Sequence, residues 1–167
     1  MVDNIYLDAY GSVVNYIQRC KEGLIEEGIV DDIEFRDIDG HAEDQTILNK
    51  DYLFIRGFSG NIDYHFREWV FQVGISTFED DNLFRHRQIL NYMLQRFLPM
   101  DELPLYDSQK LDTEIGRLVI TDQTTVQPFS KFNTRGVQFL LVSAASTVTT
   151  HEHPPLDHTS DQALLGG

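Results

Sequence analysis

The sequence has little of what several classes of protein need. Its 167 residues include one cysteine, Cys20, which excludes an internal disulfide framework and a zinc site built from several cysteines. No apolar run approaches the roughly 20 residues that span a bilayer, and the acidic start MVDNIYLDAYG is unlike a secretory signal. We therefore expect a soluble protein of a reducing compartment that the secretory route does not export and that has no membrane partner.

Basic residues are scarce as well. Lysine and arginine total 13 against 27 acidic residues, which gives a net charge of −14. Such an acidic surface is poorly suited to binding the phosphate backbone, so we do not expect tight electrostatic binding of nucleic acid. Ordinary solubility explains this balance equally well. Two functional interpretations of the acidic surface are a channel that repels DNA and a decoy protein that imitates DNA.

The stretch from Phe66 to Leu98 organises the chain, because a strand pattern there runs directly into a helix pattern. One face of the predicted strand collects apolar residues at every second position, namely Trp69, Phe71, Val73 and Ile75. The segment Glu79–Asn82 supplies acceptors for a helix start, and Pro99 marks the stop. The predicted helix, from about Asp81 to Leu98, presents an apolar stripe of Leu83, Leu90, Met93, Leu94 and Phe97.

Before this stretch, the chain predicts another helix and an antiparallel strand pair. Tyr6 to Glu27 has apolar residues at helical spacing, ends before Gly28, and starts either at Tyr6 or near Ser12 with Ser12 as its cap. The pattern predicts a short strand or extended loop at 29–38, a surface loop at 37–49, and a strand at 52–58 paired antiparallel with 62–77.

After it, the chain predicts a surface loop and then β-structure. The two prolines and four acidic residues of 99–112 indicate the loop. The β-rich pieces are 117–121, 124–129 and 136–146, with a polar turn at 131–135, and the last piece is apolar enough to lie centrally in a sheet. The fold class is therefore α+β: one domain over residues 1–148, a mainly antiparallel sheet flanked by two principal helices, and a flexible polar tail at 149–167.

No set of residues in the sequence predicts catalysis or cofactor binding. The dense group of potential metal ligands, His151, His153 and His158, matches no strong ligand spacing and falls in the predicted tail. His65 and His86 have no Ser or Cys nucleophile in a recognisable turn, and we interpret them as structural or solvated. Cys20 lies on the apolar stripe of the first helix. We therefore predict no enzyme activity, no cofactor and no functional metal site.

Scattered arginines suggest a different use of the surface. They lie on the second helix and at the ends of β-segments, while the rest of the surface is acidic. A head-to-tail ring of identical copies uses such an arrangement, and ordinary surface ion pairs on a monomer are the alternative. The candidate subunit-interface residues are Arg85, Arg87, Arg96, Arg117 and Arg135.

The order of elements resembles a known family. A first helix, the Arg-Gly-Phe strand at Ile55–Phe58, the strand WVFQVGIST, a helix, and a final hairpin ending in RGVQFLLVSA are together similar to the tail terminator, or tail completion, proteins of tailed bacteriophages. The resemblance covers Tyr6 to Thr147.

The resemblance implies a structural virion protein that is made in the host cytoplasm and located at the tail–neck junction. It would form a homo-hexameric ring that caps the tail tube, stops tube growth and joins the tail to the head. Its implied partners are further copies of itself, the tail tube protein and the head–tail connector protein, with the tail sheath as an additional one. DNA would pass the lumen without specific binding.

Three alternatives stay open from the sequence. The first is another tail or baseplate structural component with a similar sheet. The second is an acidic inhibitor that imitates DNA, which would need carboxylates in rows along one face, whereas here they are spread through loops. The third is a metal hydrolase using the C-terminal histidines.

Overall fold

The computed structural model describes residues 4–38, 49–62 and 66–147. In these ranges the chain forms two helices and eight strands of one sheet, in the order α1 (Ile5–Glu26), β1 (Glu34–Asp37), β2 (Tyr52–Ile62), β3 (Phe66–Phe78), α2 (Phe84–Leu94), β4 (Glu102–Asp107), β5 (Lys110–Ile120), β6 (Thr125–Val126), β7 (Ser130–Phe132) and β8 (Arg135–Thr147). The predicted α+β class is confirmed.

Helix α1 packs against the sheet through one apolar stripe. Its buried apolar residues recur every third or fourth position, so they share one side of the helix: Ala9, Val13, Ile17, Cys20 and Leu24. Gly28, with a φ of 73°, follows the helix, and its N–H donates to the carbonyl of Ile25. The alternative start at Ser12 is wrong. The helix begins at Ile5, and the Ser12 hydroxyl donates to the carbonyl of Asp8 at 2.6 Å.

Strands β2 and β3 pair antiparallel, as predicted. Tyr52 lies opposite Ser76, and the register shifts after Arg56, next to Gly57 with its φ of 64°. The alternating residues of β3 that face the helices are fully or almost fully buried: Trp69, Phe71, Val73 and Ile75. This face of the sheet and the buried sides of α1 and α2 form one continuous core.

The sheet is mixed, and this refines the prediction of a mainly antiparallel one. Its strand order is β1-β2-β3-β8-β5-β4, with β6 and β7 also paired to β8. Strand β1 runs parallel to β2, while the other pairings are antiparallel. Periodicity predicts that a segment is extended but carries no information about the direction of its partner. Strand β8 is central, as its apolar sequence predicts.

Helix α2 is shorter than the predicted Asp81–Leu98. Leu83 adopts a left-handed conformation (φ 59°) at the N-cap, and helical structure ends at Leu94, before Pro99. The predicted acceptors are present: Asp80 Oδ2 accepts the N–H of His86 at 2.7 Å, and Asn82 Oδ1 that of Phe84 at 3.1 Å. Ile89, Met93 and Phe97 are fully buried.

The predicted surface loop at 99–112 is wrong, because it contains β4 and the start of β5. Leu103 and Leu105 alternate with Glu102 and Pro104, and both leucines are buried. The two prolines obscured this short alternation. A proline is tolerated here because β4 lies at the end of the strand order, where one side of the backbone pairs with no strand of this sheet.

Two smaller predictions near β8 are also corrected. The β-rich piece at 124–129 contains only the two-residue strand β6, and the predicted turn at 131–135 overlaps strand β7 and the first residue of β8. Most of the predicted loop at 37–49, the tail at 149–167 and the histidines outside α2 lie outside the described residues. In the described part of the chain, neither helix has the length and apolar character needed to cross a membrane.

Candidate interaction surfaces

Within residues 4–38, 49–62 and 66–147, no group of three or more His, Cys, Asp or Glu side chains is placed to hold a metal ion. The histidines of the predicted tail are outside these ranges. Cys20 is buried in the core, and burial raises the pKa of its thiol to about 12. The thiol therefore stays protonated at neutral pH and is a poor nucleophile.

His86 is a buried structural residue, as the sequence indicates. Its Nδ1 lies 3.0 Å from Thr77 Oγ1, and its Nε2 lies 2.9 Å from Gln138 Oε1. The Gln138 amide donates to the carbonyl of Gln127 at 3.0 Å, which turns its oxygen toward the imidazole. The network is satisfied when Nε2 carries the proton and Thr77 donates to Nδ1. Burial lowers the pKa of His86 and so favours this neutral form.

Two of the five candidate interface arginines contact residues of their own chain around the start of β2. Arg85 binds Asp51, and hydrogen bonding to that carboxylate raises the pKa of the guanidinium. Arg135 donates to the carbonyl of Lys50 and to Ser76 Oγ, both at 2.9 Å, and burial lowers its pKa. Both arginines are therefore held in place by intramolecular contacts.

The other three candidates lie elsewhere. Arg96 stacks on the Tyr92 ring at 3.9 Å from its centroid and lies 3.5 Å from Glu27. Arg117 forms ion pairs with Glu114 and with Glu102. Arg87 is exposed on α2. The contacts thus place the five arginines in several neighbourhoods, and their role at a subunit interface stays a prediction.

Arginines, Arg135 among them, also lie on the face of the sheet that points away from both helices, which we call the open sheet face. It is formed by the residues of β1, β2, β3 and β8 that alternate with the core positions. Its principal members are Arg36, Tyr52, Phe54, Arg56, Val70, Gln72, Arg135, Val137, Phe139 and Leu141.

Each arginine of the open sheet face rests on an aromatic ring. Arg56 lies 3.6 Å from the ring centroid of Phe139, and its Nε donates to Gln72 Oε1 at 2.7 Å. Arg36 and Arg135 lie 5.1 Å and 5.3 Å from the centroid of Tyr52. Cation–π contacts of this kind contribute about 0.5–1 kcal/mol each at exposed sites. They hold positive charge on this face of an otherwise acidic protein.

Arg36 and Arg56 were not among the arginines predicted from the sequence, which lie on the second helix and at the ends of β-segments. A usable signal was present in YLFIRGF. Its alternation places Tyr52, Phe54 and Arg56 on one face of the strand and Leu53 and Ile55 on the other.

Carboxylates concentrate at the C-terminal end of α1 and in the residues after it. We call this set the acidic end of α1, and its members are all exposed: Glu22, Glu26, Glu27, Asp31 and Asp32. The last turn of α1 contains no basic residue. Because a helix C-terminus carries a partial negative charge, carboxylates there are electrostatically unfavourable. Two nearby cations partly neutralise these carboxylates: Arg96 lies near Glu27, and Lys50 lies 3.0 Å from Asp32.

Helix α1 also covers the outer edge of β4. Ser12 Oγ accepts the N–H of Tyr106, and Asp8 Oδ1 accepts the N–H of Ser108, both at 2.8 Å. Pro104, at the preceding alternate position, has no N–H. A groove of about 370 Å³ lies beside this junction, and its lining includes Leu7, Gly11, Asn15, Gln18 and Leu111. Because Ser12 binds the backbone of β4 and Asp8 binds the backbone of the turn after it, we assign the groove to the packing of α1 against the β4–β5 hairpin.

Comparisons with known proteins give a likeness of fold alone. No protein-family model and no curated protein matches the sequence. Twelve solved chains match the structure. One of them, whose title states no function, aligns over 80% of this chain and 95% of its own, with a TM-score of 0.50 and 8% sequence identity. The architecture therefore occurs in other proteins, but its function in this chain has to be argued from the surfaces.

Proposed function

We propose that this protein is a structural virion component that forms a homo-hexameric ring on the end of a phage tail tube and joins the tail to the head–tail connector. The observation that carries this proposal is the separation of the two faces of the sheet. Both helices cover one face, while the other bears arginines on aromatic rings. A two-layer block with one open face of this kind is suited to association with further copies.

The order of elements supports the same proposal. Helix α1, the strand containing Ile55–Phe58, the Trp69 strand, α2 and the long final strand follow each other as in the terminator resemblance. Arg87, Arg96 and Arg117 are partly or fully exposed, so they are the candidates from the sequence that remain accessible to a neighbouring copy.

The charge balance fits a ring through which DNA passes. Six copies at −14 each carry a formal charge of −84. Close contacts between phosphates and basic side chains are what retain DNA on a protein, and an acidic lumen lacks them. Such a ring would let DNA pass without specific binding.

The test is the oligomeric state of the purified chain. We expect native mass spectrometry and light scattering, over a range of protein concentrations at low and moderate salt, to detect a six-copy species. A chain that is monomeric alone and becomes hexameric on added tail tubes gives the same support. Both salt conditions are needed because salt screens the repulsion between acidic copies and also the attraction between arginines and carboxylates.

Two other outcomes contradict the proposal. A chain that stays monomeric with and without tail tubes, and binds a basic nuclease or repressor with strongly salt-dependent affinity, indicates the acidic DNA mimic. A closed ring that does not bind tail tubes but binds another part of the tail or baseplate indicates a different structural component.

A further inference from the structure

We propose that the open sheet face is one half of a contact between copies of this chain, and that it receives the acidic end of α1 of the neighbouring copy. This inference rests on the self-assembly proposed above and specifies the two surfaces that meet. One surface lies on the sheet and the other on a helix end, so the contact is head-to-tail, the arrangement that forms a ring when the rotation between copies closes.

The composition of the open sheet face suits a protein contact. Arginine and aromatic residues are enriched at the energetically dominant positions of interfaces, and here Arg56 and Phe139 stack at 3.6 Å. The Arg56 guanidinium is further oriented by Gln72. Val70 is 38% exposed beside them and adds apolar surface. The arginines are therefore preorganised, which lowers the entropy cost of an ion pair with a second molecule.

Charge complementarity identifies the acidic end of α1 of a neighbouring copy as the segment that contacts the open sheet face. Glu27 and Asp32 have local cations in Arg96 and Lys50, so the contact draws on the exposed carboxylates of Glu22, Glu26 and Asp31. Arg56, held against the Phe139 ring on the open sheet face, supplies positive charge to this end. The two surfaces thus carry charges of opposite sign, whereas two open sheet faces in contact would place arginine against arginine.

The experiment reverses charge on each surface separately and then on both, with assembly measured by native mass spectrometry and light scattering. We expect Arg56→Glu to weaken assembly by roughly tenfold or more, because it places a carboxylate against carboxylates. Glu26→Arg should weaken it to a similar extent. The double variant, Arg56→Glu with Glu26→Arg, should recover assembly. Lys110→Glu, which makes the same charge change on an exposed residue of the β4–β5 hairpin, is the matched control and should assemble like the wild type.

The Glu26→Arg variant distinguishes a loss of assembly from a loss of folding. It replaces a carboxylate near the helix C-terminus by a cation, which favours the folded monomer, so a loss of assembly in this variant does not arise from unfolding. A second measurement mixes Gln72→Cys protein with Glu26→Cys protein under oxidising conditions. We expect disulfide-linked pairs of the two different variants, while the buried Cys20 stays unreacted.

The outcomes separate this inference from the proposed function. Normal ring assembly of both Arg56→Glu and Glu26→Arg, or crosslinks only between identical variants, overturns the assigned surfaces and leaves the ring in place. Absence of any wild-type assembly, with and without tail tubes, overturns both the ring and the surfaces.

Discussion

Asp51 and Arg85 form a two-point ion pair that joins the start of β2 to the first turn of α2. Arg85 Nε lies 2.6 Å from Asp51 Oδ2, and Nη2 lies 3.1 Å from Oδ1. Phe78, at the end of β3, donates its N–H to Asp51 and accepts from Arg85 through its carbonyl. The start of β2, the end of β3 and the first turn of α2 therefore meet at one carboxylate.

Asp51→Asn is expected to lower the free energy of unfolding by about 1–3 kcal/mol, because it leaves a partly buried guanidinium with only the more distant carboxylate of Asp80, at 3.9 Å, as its counter-charge. The Asp51 side chain is only 7% exposed. Urea unfolding followed by circular dichroism measures the change. The matched control is Asp32→Asn, since Asp32 pairs with Lys50 at a side-chain exposure of 59% and should cost at most about 1 kcal/mol. Equal losses in the two variants would contradict a stabilising role for the Asp51 pair.

His86 should make stability depend on pH in a defined direction. Burial lowers its pKa in the folded protein below the ordinary 6.5, so between these two values the unfolded chain binds a proton that the folded chain does not. The free energy of unfolding is then fully retained above about pH 6.5 and falls as the pH falls below it, by at most about 1.4 kcal/mol per pH unit.

The comparison for His86 is His86→Gln, which removes the titration and keeps polar atoms near Thr77 and Gln138. Urea midpoints of wild type and variant should converge as the pH falls through this window, because only the wild type loses this contribution. The remaining histidines and the carboxylates are common to both proteins and cancel in the difference. Curves that stay parallel would exclude a shifted pKa at His86.

Leu103 tests the assignment of β4. This side chain is fully buried, so Leu103→Ala should cost about 2–5 kcal/mol of unfolding free energy through lost apolar contact and the cavity left behind. Leu111→Ala removes the same atoms from a residue that is 72% exposed and should change stability by less than about 0.5 kcal/mol. If Leu103→Ala were as mild as Leu111→Ala in a urea titration, residues 102–107 would form the loop that the sequence predicts.

Replacing each of two glycines of α1 by alanine should change the stability of the protein by different amounts. A Cβ at Gly11 meets nothing within 4 Å, so Gly11→Ala should stabilise by about 0.5–1 kcal/mol through helix propensity. A Cβ at Gly23 would overlap the hydroxyl of Tyr92 on α2. Gly23→Ala receives the same propensity gain but should fall below Gly11→Ala by about 1–3 kcal/mol because of overpacking. Thermal melts of both variants and the wild type measure this difference, and equal melting temperatures would refute the close approach of the two helices.

The sequence predicted those elements in which periodicity and burial agree. The stripes of α1 and β3 are examples, because each buries one regular face against the other layer. Strand β4 was missed because Pro104 and neighbouring acidic residues are typical of loops. Only its place at the end of the strand order makes this composition compatible with a strand.

The candidate surfaces were less accessible to sequence reasoning than the fold. Whether an arginine binds its own chain depends on partners far away in sequence, as Arg135 with Lys50 illustrates. The stacking of Arg56 on Phe139 likewise joins strands that are not neighbours in the sheet. Periodicity assigns a residue to a face of its own strand, but it does not identify the residues that other strands bring to that face.

The covered edge of β4 has a consequence for how copies of this protein can associate. An exposed strand edge accepts further strands and promotes fibre growth without a defined end. Here Pro104 offers no N–H, and α1 already binds the N–H groups of Tyr106 and Ser108. At the other end of the strand order, β1 is only four residues long. Backbone pairing is therefore discouraged along β4 and limited to a short stretch along β1, which favours association through side-chain surfaces, whose geometry can limit the number of copies.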